Sequence, residues 1–158
     1  MLKKINQSAD FAKSSLLATF FNGEAEANGM IIDRFGRVRQ KVHVIMNGYW
    51  ANDKFKMDEV FTYEDGREEL RSWSVEFTDE NTFLASSDEL KSPAIGFSNR
   101  EIVKMEYTFP VPIASRMFRL KFDDRMYLLD ENTLFEQAKM SKFGIHLAEI
   151  VLVFRKKF

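Results

Sequence analysis

The 158-residue chain has no cysteine. That excludes disulfides, thiol catalysis and thiolate metal sites, and it leaves the redox compartment open. Histidine is almost as scarce: there are two, His43 and His146. Neither falls in an H-x-H or H-E-x-x-H spacing, so a metal centre has little to rest on. Glycine (7) and proline (3) are few, and no glycine-rich loop is present to cradle a phosphate. There is no G-x-S-x-G, and Ser141-Lys142 lacks the S-x-x-K spacing, so a serine-nucleophile enzyme is unsupported. No apolar run approaches the ~18 residues of a membrane-spanning helix. The start, MLKKINQSADFAKSS, is basic but lacks the apolar core of a signal peptide. The expected location is therefore the cytoplasm; a chain trimmed of a leader, and so belonging to the cell envelope, would read the same. A net charge of −1 with no basic stripe argues against nucleic acid as a partner. The basic end Arg155-Lys156-Lys157 reads as a solvated terminus rather than a phosphate site.

Phenylalanine, in contrast, is abundant: there are 16, set among alternating charges. A chain of this length can bury roughly 68–70% of its unfolded surface, so it needs no metal or disulfide to fold. One domain over residues 1–158 is expected. Many aromatics in period-two patterns point to a closed, aromatic-filled sheet.

The stretch KFKMDEVFTYEDGREELRSWSVEF, residues 54–77, is the most legible. Phe55, Met57, Phe61 and Tyr63 alternate with Lys54, Lys56, Asp58, Thr62 and Glu64; Trp73, Val75 and Phe77 repeat the pattern after a turn. Glu64-Asp65-Gly66 suits a three-residue hairpin loop in which Gly66 takes the left-handed conformation. Paired residue numbers then sum to 130. Met57 faces Trp73, Phe55 faces Val75, and Glu59 faces Arg71. A slip of one residue would turn every side chain to the other face, so the register is constrained.

Residues 8–21 read as one helix, capped by Ser8 or Asp10, with Phe11, Leu16, Leu17, Phe20 and Phe21 as its apolar stripe. Its expected place is across one end of the barrel. Strands follow from Gly23. Asp33-Arg34-Phe35-Gly36 forms a turn, and the next run alternates from Val38 as far as Asn47-Gly48. Short strands near 81–86 and 90–97 come next, with Pro93 marking an edge or bulge. Strand 100–109 is broken by Pro110 and Pro112. Strand 116–122 ends at a turn, Asp123-Asp124, before Met126–Leu129. Residues 133–140 and 146–155 are the last strands, separated by Gly144. About ten short strands with close turn signals favour an antiparallel up-and-down barrel.

The inward pair Glu59 and Arg71 is the candidate polar anchor. A guanidinium stays charged and grips a carboxylate or phosphate bidentately. The alternative is a structural salt bridge that fixes register. The expected wall is Phe55, Met57, Phe61, Trp73, Val103, Met105, Tyr107, Phe118, Leu120 and Phe122. The acidic residues Asp123, Asp124 and Asp130 sit at strand ends; turn chemistry explains them better than Ca²⁺ or acid–base work, since no D-x-D-x-D-G loop is present. His43 is expected to be exposed, and His146 to open the last strand.

The segments FNGEAEANGMIIDRFGRVRQ, FDDRMYLLDENTLFEQAKMSKFG and AEIVLVFRKK resemble an uncharacterised bacterial family, domain-of-unknown-function family 3833. The resemblance runs roughly from Phe20 to Lys156. It includes the F-N-G start, the D-R-F-G turn, the Tyr-x-Asp-Gly hairpin followed by R-x-W, and M-S-K-F-G. It implies a lipocalin-like barrel, often in lipoproteins with a leader and a lipid-modified cysteine that this chain lacks. Loose links of that family to fatty-acid-modifying enzymes imply an apolar acyl partner. The chain departs from the family pattern at Asn28 and Arg125 (tryptophan implied), Glu136 (asparagine implied) and Ala148 (glycine implied).

The expected fold is thus an all-β, lipocalin-like antiparallel barrel of about ten strands with an N-terminal helix. The favoured function is non-catalytic binding of a small apolar or amphipathic ligand, such as a fatty acid, with no cofactor or metal. Its site residues would be Glu59, Arg71, Trp73, Met57, Phe61, Met105, Tyr107, Phe118 and Phe122. The alternatives are a ligand-free structural module packed by its own phenylalanines, and an enzyme acting on a lipid-like substrate with Glu59 or Asp124 as acid–base.

Overall fold

The computed structural model describes residues 7–158. Ten antiparallel strands close on themselves: β1 (Gly23–Asp33), β2 (Val38–Ala51), β3 (Lys54–Tyr63), β4 (Glu68–Phe77), β5 (Thr82–Ser86), β6 (Ala94–Ser98), β7 (Ile102–Ile113), β8 (Arg116–Asp130), β9 (Thr133–Lys142) and β10 (Ile145–Lys156). Each pairs with its neighbours in sequence, and β10 pairs back onto β1, which makes an up-and-down barrel. Closure removes the edge strands that alternating sequences otherwise expose.

The 54–77 hairpin has the expected register, with Phe55 opposite Val75, Met57 opposite Trp73 and Glu59 opposite Arg71. The Tyr63 N–H donates to the Arg67 carbonyl and the Gly66 N–H to the Tyr63 carbonyl, both at 2.9 Å. Gly66 has φ 87°, the left-handed conformation the loop requires.

Several boundaries differ from expectation. The segment expected as one helix over 8–21 is α1 (Gln7–Phe11), a 3₁₀ turn (Ala12–Ser14) and α2 (Leu16–Phe20). Ser15 is extended between them and bonds through its hydroxyl to Ser98 at 2.9 Å. Ser8 is not a cap; its oxygen accepts the Phe77 N–H at 2.9 Å. β2 runs through Asn47-Gly48 to Ala51, and the reversal falls at Asn52, with φ 58°. Pro93 precedes β6 instead of kinking a strand. β7 runs through Pro110 and Pro112, because beyond Glu106 it pairs only with β8 and its other side needs no donors. Asp123-Asp124 is not a turn: both residues lie inside the 15-residue β8.

The two short strands leave a gap in the wall. β4 pairs with β5 only over 74–77, and β7 with β6 only over 103–106. The 87–93 loop covers the gap. Leu90 packs against both halves of the core, and Arg119 Nη2 donates to the Glu89 carbonyl at 3.1 Å.

The helical segment covers one end, as expected. Leu17 and Phe21 have no exposed surface, and Phe21 packs edge-on against Phe154 with ring centres 5.1 Å apart. This seat depends on Gly48: a Cβ there would lie 1.8 Å from the Phe21 carbonyl oxygen. The other end, at the β1–β2, β3–β4, β5–β6, β7–β8 and β9–β10 connections, is an open mouth.

Candidate functional site: an acidic cavity beneath the barrel mouth

Period-two alternation turns one face of every strand inward, and polar side chains at inward positions meet inside the barrel. Arg71 on β4, Glu59 on β3, Asp124 on β8 and Glu136 on β9 all line one central cavity with Met46, Met57, Phe61, Trp73, Met105, Tyr107, Phe122 and Met126; Leu17 of α2 lies on the same lining. Its volume is about 40 Å³. A second pocket of about 150 Å³ opens at the mouth, bounded by Ile31, Tyr63, Arg67, Glu69, Pro110, Val111, Pro112, Met140 and Ile150. Arg71 and Phe122 line both, so the guanidinium stands at the boundary between them. A larger groove of about 490 Å³ beside Lys91–Ala94 and Arg119 is a surface trough of the gapped wall, with only Tyr107 in common with the inner cavity.

Arg71 is held by Glu69, not by Glu59. Its Nη2 and Nε donate to Glu69 Oε1 at 3.0 and 3.2 Å. The guanidinium also lies 4.6 Å from the Phe61 ring centre and 4.3 Å from that of Phe109, a cation between two aromatic faces. The Tyr63 hydroxyl donates to the second Glu69 oxygen at 2.8 Å. Burial alone would raise the Glu69 pKa, but the Arg71 charge and these donors outweigh it and keep Glu69 ionised.

The deeper carboxyls behave in the opposite way. Burial pushes Glu59 up to about 7, partly offset by Arg71 and reinforced by Asp124. Asp124 is raised by burial, against the lowering effects of Glu136 and of the Tyr107 hydroxyl, which donates to its Oδ2 at 3.1 Å. Burial and the neighbouring Asp124 hold Glu136 well above the ordinary range. Asp124 Oδ1 is buried with no hydrogen-bond partner, and burial together with the neighbouring carboxyl raises both Asp124 and Glu136, which favours a proton on one of the two acids. A protonated carboxyl beside an ionised one is a proton donor next to an acceptor. Among the described residues no cluster has the geometry to hold a metal ion.

Of the residues singled out from the sequence, Glu59, Arg71, Trp73, Met57, Phe61, Met105, Tyr107 and Phe122 all line the inner cavity. Phe118 does not: it is half-buried among the apolar residues of the mouth half, with Phe109 and Leu120. Asp130 does make a turn, accepting the Asn132 N–H at 2.9 Å. Asp123 faces outward and pairs with Arg125 at 3.2 Å. His43 is half-buried on the outer wall against Glu26, and His146 is exposed. Asn28 and Arg125, where the resemblance implies tryptophan, are also outside, so neither bears on the cavity; Glu136 lies at its centre. Of the three further acids of the site, Asp124 is singled out in the sequence only as an alternative acid–base or turn residue, Glu136 only as a departure from the family pattern, and Glu69 not at all. Each carried the signal of parity: Glu69 with Arg71 and Trp73, Asp124 with Phe122 and Met126, and Glu136 with Leu134 and Ala138.

A family model for a protein of unknown function, DUF3833, matches residues 2–156. No curated protein matches the chain. Among solved structures, the S-type phycobiliprotein lyase CPES from Guillardia theta is similar over 96% of this chain and 98% of that one, with TM-score 0.65 and 6% identity. A protein of unknown function from the DUF3598 family of Nostoc punctiforme matches 91% of this chain and half of its own, with TM-score 0.61 and 9% identity. A structure of EF1p2_mFAP2b bound to DFHBI matches 97% of this chain and 99% of its own, with TM-score 0.50 and 8% identity. At such identities the likeness is one of fold.

Proposed function

The chain belongs to the DUF3833 family, and from that premise, which supplies no activity, we propose that its barrel is a non-catalytic binder of a small amphipathic ligand taken in at the mouth. The observation that carries this reading is the position of Arg71. It lines both the mouth pocket and the inner cavity, and it uses two of its nitrogens on a single oxygen of Glu69. A guanidinium has five N–H donors, so others remain for the carboxylate or phosphate of a ligand. Pro110, Val111, Ile31, Met140 and Ile150 offer the apolar part of the same molecule a dry wall. The likeness to a structure described as bound to DFHBI supports a ligand in this type of fold.

An acyl chain fits this reading with its acid group on Arg71 and its tail in the mouth pocket. The inner cavity, at about 40 Å³, is far below the ~300–1,000 Å³ of ordinary ligand pockets. A tail would enter it only if Met46, Met57, Met105 and Met126 changed rotamer, which methionine does at low cost. The same small volume favours a second reading, a barrel packed by its own side chains with no ligand. Raised Glu59 and the raised neighbouring acids Asp124 and Glu136 would serve the third, acid–base turnover of a lipid-like substrate.

Native mass spectrometry after gentle purification should show a retained small molecule. In protein stripped of lipid, a fatty-acid titration should change the fluorescence of Trp73, which packs against Tyr107 with ring centres 5.2 Å apart. Arg71→Gln should remove that response. Unchanged emission up to saturation, together with no retained mass, would give the packed-core reading the lead.

A further inference from the structure

We propose that one sector of the barrel mouth docks on the surface of an anionic lipid bilayer, through the β1–β2, β9–β10 and β7–β8 turns. These turns are neighbours around the rim. The Arg34 N–H donates to the Leu147 carbonyl at 3.1 Å, and Lys142 Nζ to the Arg119 carbonyl at 3.0 Å.

At or beside each turn an apolar side chain is largely exposed. Phe143 is 90% exposed, Phe35 69% and Met117 66%. Phe143 also holds φ 54°, a conformation that suits glycine or asparagine and costs other residues roughly 1–2 kcal/mol. Phe143 therefore bears a backbone cost while its ring stays largely in water. The β7–β8 hairpin projects past the rim, because β8 has no β9 partner before Lys121 and β7 no β6 partner after Glu106.

Cations surround these tips. Arg34 and Arg37 lie 4.8 and 6.0 Å from the Phe35 ring centre, and Lys142 lies 4.9 Å from that of Phe143. Across residues 33–39, 111–119 and 140–147 there are six basic side chains, Arg34, Arg37, Arg39, Arg116, Arg119 and Lys142, against the single carboxylate of Asp33. That carboxylate is taken up by its own turn, accepting from the Phe35 and Arg37 N–H groups. The four turns at the helix end carry the opposite sign: Asp53, Asp79, Glu80, Glu101, Asp130 and Glu131 against Arg100. The other two mouth connections are acidic, with Glu64, Asp65, Glu68, Asp88 and Glu89 against Arg67 and Lys91. At the helix end Arg155, Lys156 and Lys157 stand beside the acidic turns. The apolar tips and the cations therefore coincide in this sector of the mouth, which is the face that meets a negative surface.

Aromatic and aliphatic tips ringed by Arg and Lys match the two layers of a membrane interface, acyl boundary and anionic headgroup. Nucleic acid would use the cations and leave the apolar tips in water. A second copy would bring like charge against like charge. The docking surface stands independently of whether the cavity holds a ligand.

The test is flotation of the whole chain with vesicles of phosphatidylcholine alone and of phosphatidylcholine with phosphatidylglycerol. Binding is expected to the anionic vesicles, weaker to the neutral ones, and reduced by added salt. The double variant Phe35→Ser/Phe143→Ser should lose binding about tenfold or more, by analogy with the loss of two interfacial apolar side chains. Its melting temperature should hold, because both rings are largely exposed. Leu70→Ser, at a 69% exposed site on β4 outside the sector, should bind like the parent. No binding to anionic vesicles, or equal losses in the double variant and Leu70→Ser, would overturn the proposal. Self-association in solution that the double variant abolishes, without vesicle binding, would assign the surface to a second copy instead.

Discussion

Arg71 stands directly opposite Glu59 in the β3–β4 register, yet it donates both hydrogen bonds to Glu69, two positions along its own strand. The choice follows from depth. Glu69 lies at the mouth, where water and the Tyr63 hydroxyl help it to stay charged. Glu59 is enclosed, and its charge is costly even with a guanidinium across the strand. The strand pair therefore carries one ion pair and one half-neutralised acid.

Removing the cation should expose this arrangement. Arg71→Leu leaves Glu69 without its partner and Glu59 without its compensating charge. The expected loss is about 3 kcal/mol near pH 8, the lower end of the range for a broken buried pair, because Glu69 keeps contact with water. The double variant Arg71→Leu/Glu69→Leu should recover at least half. Urea melts of the three proteins check this, and a neutral Arg71→Leu would mean that the guanidinium contributes nothing to the fold.

Glu59 should make stability depend on pH. Its folded pKa of about 7 is above the ordinary value of 4.5. Between those values the folded chain holds a proton that the unfolded chain has released. Stability is therefore full below about 4.5, falls as pH rises, and for this group levels off above about 7. The shift corresponds to about 3 kcal/mol. Asp124 and Glu136, also raised, act in the same direction. Urea melts at pH 5 and pH 8 should show the parent weaker at pH 8. Glu59→Gln should show a smaller difference; an identical difference would place the titration elsewhere.

The Tyr107 hydroxyl should matter more than its ring. Tyr107→Phe keeps the stack on Phe122, with ring centres 5.1 Å apart, and the edge contact with Trp73. It removes only the donor to Asp124 Oδ2. A buried acceptor left unpaired costs about 1–3 kcal/mol. The cost should shrink as pH falls, because burial raises Asp124 and a protonated carboxyl can make its own hydrogen bond. Melts of parent and variant at pH 8 and pH 5 measure it, and a loss that is the same at both would dissociate Tyr107 from Asp124.

Alternation made most of the barrel legible from sequence. Phe55, Met57, Trp73 and Val75 were placed correctly because one loop length fixes every pair in a hairpin. The same logic failed where a local signal overrode it. Asp123-Asp124 and Pro110 read as breaks, yet long-range pairing with β9 and β7 carries β8 through the acids, and the gap in the wall lets β7 keep its prolines. Cutting β8 in two hid the inward parity of Asp124, and with it the acid pair at the centre of the cavity. In the sequence, Glu136 stands out only as a departure from a family pattern. The partner of Arg71 was missed because same-strand neighbours at i and i+2 share a face as surely as cross-strand pairs do. The mouth pocket lay beyond sequence reasoning altogether, since it depends on which connections β5 and β6 leave uncovered.

Gly48 offers a test of the helix end at a position outside the cavity lining itself. Its absent Cβ would meet the Phe21 carbonyl oxygen at 1.8 Å and the Phe55 ring at 2.7 Å. The first obstacle is backbone, so it cannot move aside by changing rotamer. Gly48→Ala must lift the α2–β1 junction, which carries Leu17 and Phe21, both without exposed surface. The expected cost is about 3 kcal/mol, at the upper end for overpacking, with faster protease cleavage between residues 7 and 22 and new binding of an apolar dye. Gly66→Asn is the comparison. Its site has nothing within 4 Å of a Cβ and a φ of 87°, which asparagine tolerates, so it should cost less than about 1 kcal/mol. If Gly48→Ala melts with Gly66→Asn and its N-terminal segment stays resistant, then the helical segment is not what seals that end of the barrel.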